Sequence, residues 1–167
     1  MAEPKRKPRS LATLRAVSSR GGVRVLVLSG PNLDRLGKRE PQIYGKTTLA
    51  QVHEQLADAA KARGVSVECR QSNHEGALID WIGAAADEGF SGILLNPGAL
   101  THSSYALYDA LKGSELPTIE VHISNPDARE AFRKNSLVAP ACVGRVAGFG
   151  AASYTLALSG LLERLSS

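Results

Sequence analysis

The 167-residue sequence predicts an α/β fold in which helices cover both faces of a five-stranded parallel sheet. Short runs rich in β-branched residues alternate with longer segments of helical periodicity five times between residues 23 and 167. The strand-like runs are almost continuously apolar, which is typical of parallel strands buried on both faces. A chain of this length suits one domain, so we expect a single sheet.

The predicted strands are short apolar runs bounded by turn residues. The first one, for example, lies between Gly22 and the turn Ser29-Gly30-Pro31. The five ranges are 23–28, 65–69, 92–96, 117–122 and 143–147.

Helical periodicity, together with start and stop signals, predicts what lies between the strands. Thr47 or Thr48 can cap the first helix, Gly64 closes it, and Gly89 ends the second helix. The predicted helices are 48–63, 75–88, 103–111 and 151–165, with at most one or two helical turns at 127–132. Strands that alternate with helices in this way predict a flavodoxin-like, doubly wound domain of three α/β/α layers.

The formal charge of +4 is concentrated at the amino terminus. Residues 1–22 carry six of the 20 basic residues and one of the 16 acidic ones, so the rest of the chain is near neutral and is not expected to bind nucleic acid. The apolar stretch 11–17 is too short for a signal peptide or a membrane span. We predict a disordered basic extension over residues 1–22, with an organellar targeting segment as the alternative, and one catalytic domain over 23–167.

The two cysteines, Cys69 and Cys142, form neither a C-x-x-C motif nor a Cys/His cluster. Neither a disulfide framework nor a structural metal site is therefore expected. This cysteine usage favours a reducing, cytoplasmic compartment.

In a doubly wound sheet, the loops at the carboxyl ends of the strands meet in one crevice. Here those loops are 30–47, 70–75, 96–102, 122–127 and 148–150. Three of the four histidines are thus predicted to face one site, whereas His53 lies within a helix. The polar residues on these loops are Asn32, Arg39, Tyr44, Asn73, His74, Asn96, His102 and His122.

Two glycine-containing segments look like nucleotide-binding signatures but lack a required residue. Gly45-Lys46-Thr47 ends like a Walker A loop, yet Glu40 stands where the pattern needs its first glycine. In Gly148-Phe149-Gly150, the position of the third glycine is Ser153. Nucleotide or flavin binding therefore remains the weaker alternative, beside a catalytically silent binding module on the same fold.

The first of these loops is far longer than the two to six residues usual for a βα connection, which is typical of a lid or binding loop. Its Tyr44 could simply pack under the loop with its hydroxyl in water. The nearby Arg35, Lys38 and Arg39 favour a catalytic base instead, because positive charge stabilises a tyrosinate. Arginine suits this task since it keeps its own proton.

His122 ends the fourth predicted strand, and Glu120, two residues earlier, lies on the same side of that strand. The alternative is a histidine that is merely hydrogen-bonded at a strand end. A neighbouring carboxylate can fix the ring tautomer and keep the imidazolium available, as a general acid requires. Asn96 and His102 are donors suited to hydroxyl groups, and Arg133 is suited to clamp an anion.

Five segments resemble, in order, the signature segments of the type II 3-dehydroquinate dehydratases. They lie between about residue 24 and residue 160 and read GPNLDRLGKREPQIYG, QSNHEGALIDWI, LLNPGALTHSS, IEVHISN and AREAFR. The resemblance implies a hydro-lyase that converts 3-dehydroquinate to 3-dehydroshikimate through an enolate, without metal, cofactor or Schiff base. It also implies a homo-oligomer, a dodecamer built from trimers. The reaction would serve the shikimate pathway to chorismate and aromatic amino acids, or else the breakdown of quinate.

The resemblance also implies roles for individual residues. Tyr44 matches the proton acceptor, Arg39 the residue that activates it, and His122 the proton donor. Asn32 matches the residue that holds the water or the enolate, and Glu120 stands behind His122. The positions that resemble the substrate-binding set are Asn96, His102, Asp109, Ile123, Ser124 and Arg133.

The sequence departs from the family pattern at a few positions. Ser29 stands where Asn usually precedes GPN, Asp34 where a neutral residue is common, and Tyr108 where Arg often precedes Asp109. Pro126-Asp127 replaces a more usual aliphatic-His pair. None of these departures affects the Tyr, Arg or His in the chemical roles.

Overall fold

The computed structural model describes residues 22–38 and 41–167, and of Pro41 and Tyr44 only the backbone. Except for Gly22, the extension predicted over residues 1–22 lies outside the described residues, and so does Arg39.

Five parallel strands form one sheet in the order β2-β1-β3-β4-β5. The chain winds outward from β1 in one direction to β2 and in the other to β3, β4 and β5, which confirms the predicted doubly wound α/β class. The strands follow the predicted ranges closely: β1 is Arg24–Ser29, β2 Ser66–Gln71, β3 Gly92–Asn96, β4 Thr118–His122 and β5 Gly144–Ala147.

The helices lie where the periodicity predicts, with differences at their ends. The helix predicted to end at residue 88 ends at Ala84, and the one predicted over 103–111 runs from Tyr105 to Ser114. A four-residue helix in the first loop was not predicted. The helices are α1 Pro41–Tyr44, α2 Leu49–Lys61, α3 Glu75–Ala84, α4 Tyr105–Ser114 and α5 Ala152–Ser166.

Alternate side chains of the central strand β1 enter two separate apolar cores. Val25 and Val27 pack with residues of α2 and α5, whereas Leu26 and Leu28 pack with residues of α3 and α4. The sheet is therefore the middle of three layers, and the five strand ends that carry the candidate site are held rigidly. No helix in the described part of the chain is long and apolar enough to span a membrane.

Candidate active site

A cleft of about 120 Å³ opens at the carboxyl ends of β1, β3 and β4, where the sequence places the crevice. Its walls include the 3-10 turn Leu33–Arg35 after β1 and the 3-10 turn Gly98–His102 after β3. Five of the predicted site residues line it: Asn32, His102, His122, Ser124 and Arg133.

A second cleft adjoins the first and shares Ser124 and Arg129 with it. Ile43 and Gly45, the two neighbours of Tyr44 in the sequence, line this second cleft, as does the predicted residue Ile123. The backbone thus brings the position of Tyr44 to one side of a continuous site and His122 to the other.

Glu120 and His122 form a buried pair at the end of β4. The Nε2 atom of His122 lies 2.6 Å from Oε1 of Glu120, whose side chain has no exposed surface. The Nε2–H group donates to the carboxylate, which fixes the ring tautomer as predicted. Nδ1 is then the ring nitrogen left for a group in the cleft.

Hydrogen-bond donors surround the Glu120 carboxylate. Thr101 donates its hydroxyl to Oε1, the hydroxyl of Ser136 lies 3.0 Å from Oε1 and 2.9 Å from Oε2, and Nε of Arg145 lies 3.7 Å from Oε2. Burial raises the pKa of Glu120, but the hydrogen bonds from His122 and Thr101 and the charges of His122 and Arg145 outweigh it and leave the pKa below its usual value. An ionised, acceptor-only carboxylate fits this set of donors.

Asn32 occupies the left-handed region of backbone space, with φ at 67° and ψ at 2°. Asparagine tolerates this conformation better than most residues, which explains its place at this tight turn. Its backbone N–H donates to Oδ1 of Asn73 at 2.8 Å, and Nε2 of Gln71 donates to the same oxygen at 3.1 Å. The loops after β1 and β2 are therefore joined beside the cleft.

Asn96 lies beneath the cleft and does not line it. Its side chain is 3% exposed, and both ends of the amide are occupied: Nδ2 donates to the hydroxyl of Tyr154 at 3.1 Å, and Oδ1 accepts from the N–H of Gly98 at 3.2 Å. The residue shapes the turn that carries His102. Burial raises the pKa of Tyr154, which keeps this phenol a neutral donor or acceptor.

The turn after β3 presents His102 to the cleft with a defined tautomer. Its Nδ1 lies 2.7 Å from the carbonyl oxygen of Asn135, so Nδ1–H donates there and Nε2 is left for substrate. Its ring packs edge-on against Phe132 at 5.9 Å between centroids. Arg133, also in the cleft, is held by Glu130, with Nε 2.8 Å from Oε2.

The turn after β4 is fixed by hydrogen bonds within it and to the turn after β5. The side chain of Asn125 caps the 3-10 turn Pro126–Ala128 by accepting from the N–H of Asp127 at 3.1 Å. The carbonyl groups of His122 and Ile123 accept from Gly148 and Gly150, which ties this turn to the one after β5. Ser124 remains at the junction of the two clefts.

Asp109 is the predicted site residue that lies apart from the others. It is exposed on α4 and lines neither cleft. The sequence reasoning missed Thr101, Ser136, Arg145 and Arg129. The register of β4 and β5, which only the structure gives, brings Arg145 beside Glu120, and the others come together through the folding of loops. In the described part of the chain, no group of three or more His, Cys, Asp or Glu is placed to hold a metal ion.

Comparison with known proteins places these features in one family. The family model described as Dehydroquinase class II matches residues 23–162. The 3-dehydroquinate dehydratase of Thermus thermophilus is 56% identical over 142 residues, covering 84% of this chain and 95% of that protein. That of Halalkalibacterium halodurans is 54% identical over 139 residues, covering 83% of this chain and 95% of that protein.

The fold agrees as well. The crystal structure of a type II dehydroquinase from Butyrivibrio crossotus aligns with a TM-score of 0.83 at 45% identity, over 84% of this chain and 98% of that one. The family resemblance of the five sequence segments is thereby confirmed. Since the family model covers nearly the whole folded body, this chain belongs to the class II dehydroquinase family.

Proposed function

We propose that this protein removes water from 3-dehydroquinate to give 3-dehydroshikimate. The observation that carries the proposal is the buried Glu120–His122 pair, which opens onto a cleft continuous with one lined by the neighbours of Tyr44. A base and an acid on opposite sides of a site are what an elimination needs. The relatives named 3-dehydroquinate dehydratase support the same substrate.

The first step is removal of a weakly acidic proton beside the ketone. Tyr44 is the proposed base, and Arg39 the cation that stabilises its tyrosinate form. Asn32, which lines the cleft, is the proposed partner of the enolate oxygen or of a water beside it. Both Arg39 and the side chain of Tyr44 lie outside the described residues, so their roles rest on the sequence and on the family.

The second step is protonation of the departing hydroxyl by His122. With Nε2 bonded to Glu120, the proton leaves from Nδ1, and the ionised carboxylate stabilises the imidazolium before transfer. Glu120 acts through His122 and has no surface of its own in the cleft. Water is the only other product, and it forms from the leaving hydroxyl and this proton.

The remaining residues recognise the substrate. The backbone amides of Ile123 and Ser124 and the guanidinium of Arg133 are suited to its carboxylate, and Nε2 of His102 to a hydroxyl group. Asn96 contributes by holding the turn that carries His102. Asp109 reaches a site only if it is the site of a neighbouring copy, which fits the proposed homo-oligomer, a dodecamer built from trimers.

The proposed setting is the cytoplasm, where the reaction would supply aromatic amino acid biosynthesis through the shikimate pathway. The two cysteines, Cys69 and Cys142, are both free thiols, which suits a reducing compartment. Burial is the main factor that raises the pKa of each thiol, to about 11 and about 12 respectively. Such thiols react slowly at neutral pH.

The test is the ultraviolet absorbance of the conjugated enone product when purified protein is mixed with 3-dehydroquinate. Tyr44→Phe and His122→Gln should each lower kcat by at least about a hundredfold, as expected for the loss of a general base or acid. His53→Gln is the matched control, since His53 lies on α2, away from both clefts.

The outcomes separate the alternatives. Activity that survives Tyr44→Phe would overturn the tyrosinate mechanism but keep the substrate. A folded parent protein with no activity would instead favour a binding module on this fold.

A further inference from the structure

Arg145 lies directly beside the Glu120–His122 pair, on the edge strand β5. It is the register partner of Glu120, so the two side chains leave the sheet on the same face. Its Nε atom lies 3.7 Å from Oε2 of Glu120, within ion-pair distance but beyond a hydrogen bond. The guanidinium therefore acts on the carboxylate mainly through its charge.

The burial of these groups makes that charge effective. The side chain of Glu120 is 0% exposed and that of Arg145 is 25% exposed. Two guanidinium nitrogens of Arg145, Nε and Nη2, are buried without a hydrogen-bond partner among the described residues. Desolvating donors in this way is costly, so the residue is poorly explained as a structural hydrogen-bonding group. Charges at this spacing and burial interact far more strongly than exposed ones do.

We propose that Arg145 is a positioning residue for the dehydration, whose charge sets the pH range over which the Glu120–His122 pair holds the proton that His122 delivers. The inference rests on the proposed role of His122 as the acid. It concerns a residue that neither touches the cleft nor belongs to the sequence segments that carry the family resemblance.

The direction of the effect follows from the charges around Glu120. Arg145 keeps the carboxylate ionised, and its positive charge also opposes a second positive charge on the imidazole. A neutral side chain at position 145 should extend the protonated form of the pair to higher pH.

The charges around the pair lie on two sides: Arg145 faces Glu120 from β5, whereas Arg129, Arg133 and His102 line the cleft into which His122 opens. From β4 itself the titratable group is His122, and from β5 it is Arg145. From the segment before β5, Cys142 faces the carboxylate, but its thiol stays neutral because burial and the charge of Glu120 raise its pKa to about 12. Strand β3 places the apolar Leu95 beside Glu120, and the loops add the neutral hydroxyls of Thr101 and Ser136.

The experiment compares kcat as a function of pH for the parent, Arg145→Gln and Arg145→Lys. In Arg145→Gln, the alkaline limb should move to higher pH by about one unit, as is usual for loss of one nearby charge. Arg145→Lys keeps the positive charge, so its alkaline limb should move by less than half as much. The acid limb, assigned to Tyr44, should stay in place.

A second readout does not depend on turnover. The histidine rings are labelled with 13C at Cε1, and the His122 resonance is identified by its loss in His122→Gln. In Arg145→Gln, this resonance should titrate at higher pH than in the parent, even if the parent proves inactive on 3-dehydroquinate. The proposed function and the role of Arg145 thus fail separately.

The proposal is overturned if neither the pH dependence of kcat nor the titration of the His122 resonance moves in Arg145→Gln. A packing role for Arg145 predicts that result, with Arg145→Gln and Arg145→Lys lowering kcat equally at every pH. Circular dichroism checks that each variant is folded. If Arg145→Gln is not folded, Arg145→Met takes its place, because its side chain keeps the aliphatic stem beside β4.

Discussion

At the scale of single residues, Glu120 lies behind the proposed acid His122 and does not line the cleft. Its carboxylate, which is fully buried, accepts hydrogen bonds from Thr101, Ser136 and His122 and faces Arg145. Removing one member of such a cluster leaves the others unpaired, which is usually more costly than the net contribution of the contact itself. A change at Glu120 should therefore alter stability as well as rate.

We expect Glu120→Gln to lower the free energy of unfolding by an amount that depends on pH. The folded-state pKa of Glu120 lies below its usual value of about 4.3. Its ionised form therefore stabilises the protein above the pH at which the unfolded chain titrates, and that stability is lost as the pH falls through the lower, folded pKa. The difference between parent and variant should be largest near neutral pH and should shrink below about pH 4.

Urea unfolding at several pH values and at one fixed protein concentration measures this difference, since association would otherwise contribute to it. Glu54→Gln is the control, because Glu54 is exposed on α2. A difference that is constant from pH 7 to pH 3 would contradict a stabilising, ionised carboxylate.

At the scale of elements, a capping box stabilises the start of α2, which follows the loop that holds Tyr44. The hydroxyl of Thr48 accepts from the N–H of Gln51 at 3.3 Å, and the side chain of Gln51 accepts from the N–H of Thr48 at 2.9 Å. Thr48→Ala should lower the free energy of unfolding by about 1 kcal/mol. Thr47→Ala is the matched control and should change it by less than about 0.5 kcal/mol. Thermal or urea unfolding of the three proteins decides the prediction, and equal losses would refute the cap.

The same helix shows what sequence reasoning can resolve about an element. Both Thr47 and Thr48 satisfy the composition of a cap, and only the reciprocal bonds with Gln51 select Thr48. Strands were predicted within a residue or two because the runs in β1 and β3 are almost continuously apolar and stand out from the segments around them. Helix α1 was missed because four residues are too few to show a period.

The site residues also divide into those that the sequence predicts and those that only the fold brings together. The Glu120–His122 pair was predictable because side chains two residues apart on a strand share a face, a purely local rule. Thr101 and Ser136 were not, since their approach to Glu120 depends on how the loops after β3 and before β5 fold over it. The occupied amide of Asn96 was hidden for the same reason: its partner Tyr154 comes from the last helix.

At the scale of the whole molecule, the site depends on the close approach of the two chain segments that leave β1 and β3. The N–H of Gly30 donates to the carbonyl of Asn96 at 2.8 Å, and a Cβ atom at position 30 would lie 2.6 Å from the carbonyl oxygen of Pro97. That neighbour is backbone, so it cannot swing aside. Only glycine lets the loop carrying Asn32 and the loop carrying His102 leave the sheet this close together.

We therefore expect Gly30→Ala to separate the two loops, lowering the free energy of unfolding by about 1–3 kcal/mol. It should also lower kcat/KM by roughly tenfold to a hundredfold, since displacing a site by about 1 Å is enough for such a loss. Gly83→Ala is the matched control: no atom lies within 4 Å of its added Cβ, and the position is inside α3. That variant should gain up to about 1 kcal/mol of stability and keep its kinetics. If unfolding and kinetics of Gly30→Ala match the parent, the two loops are not held by this contact, and the geometry that joins Asn32 to His102 has another origin.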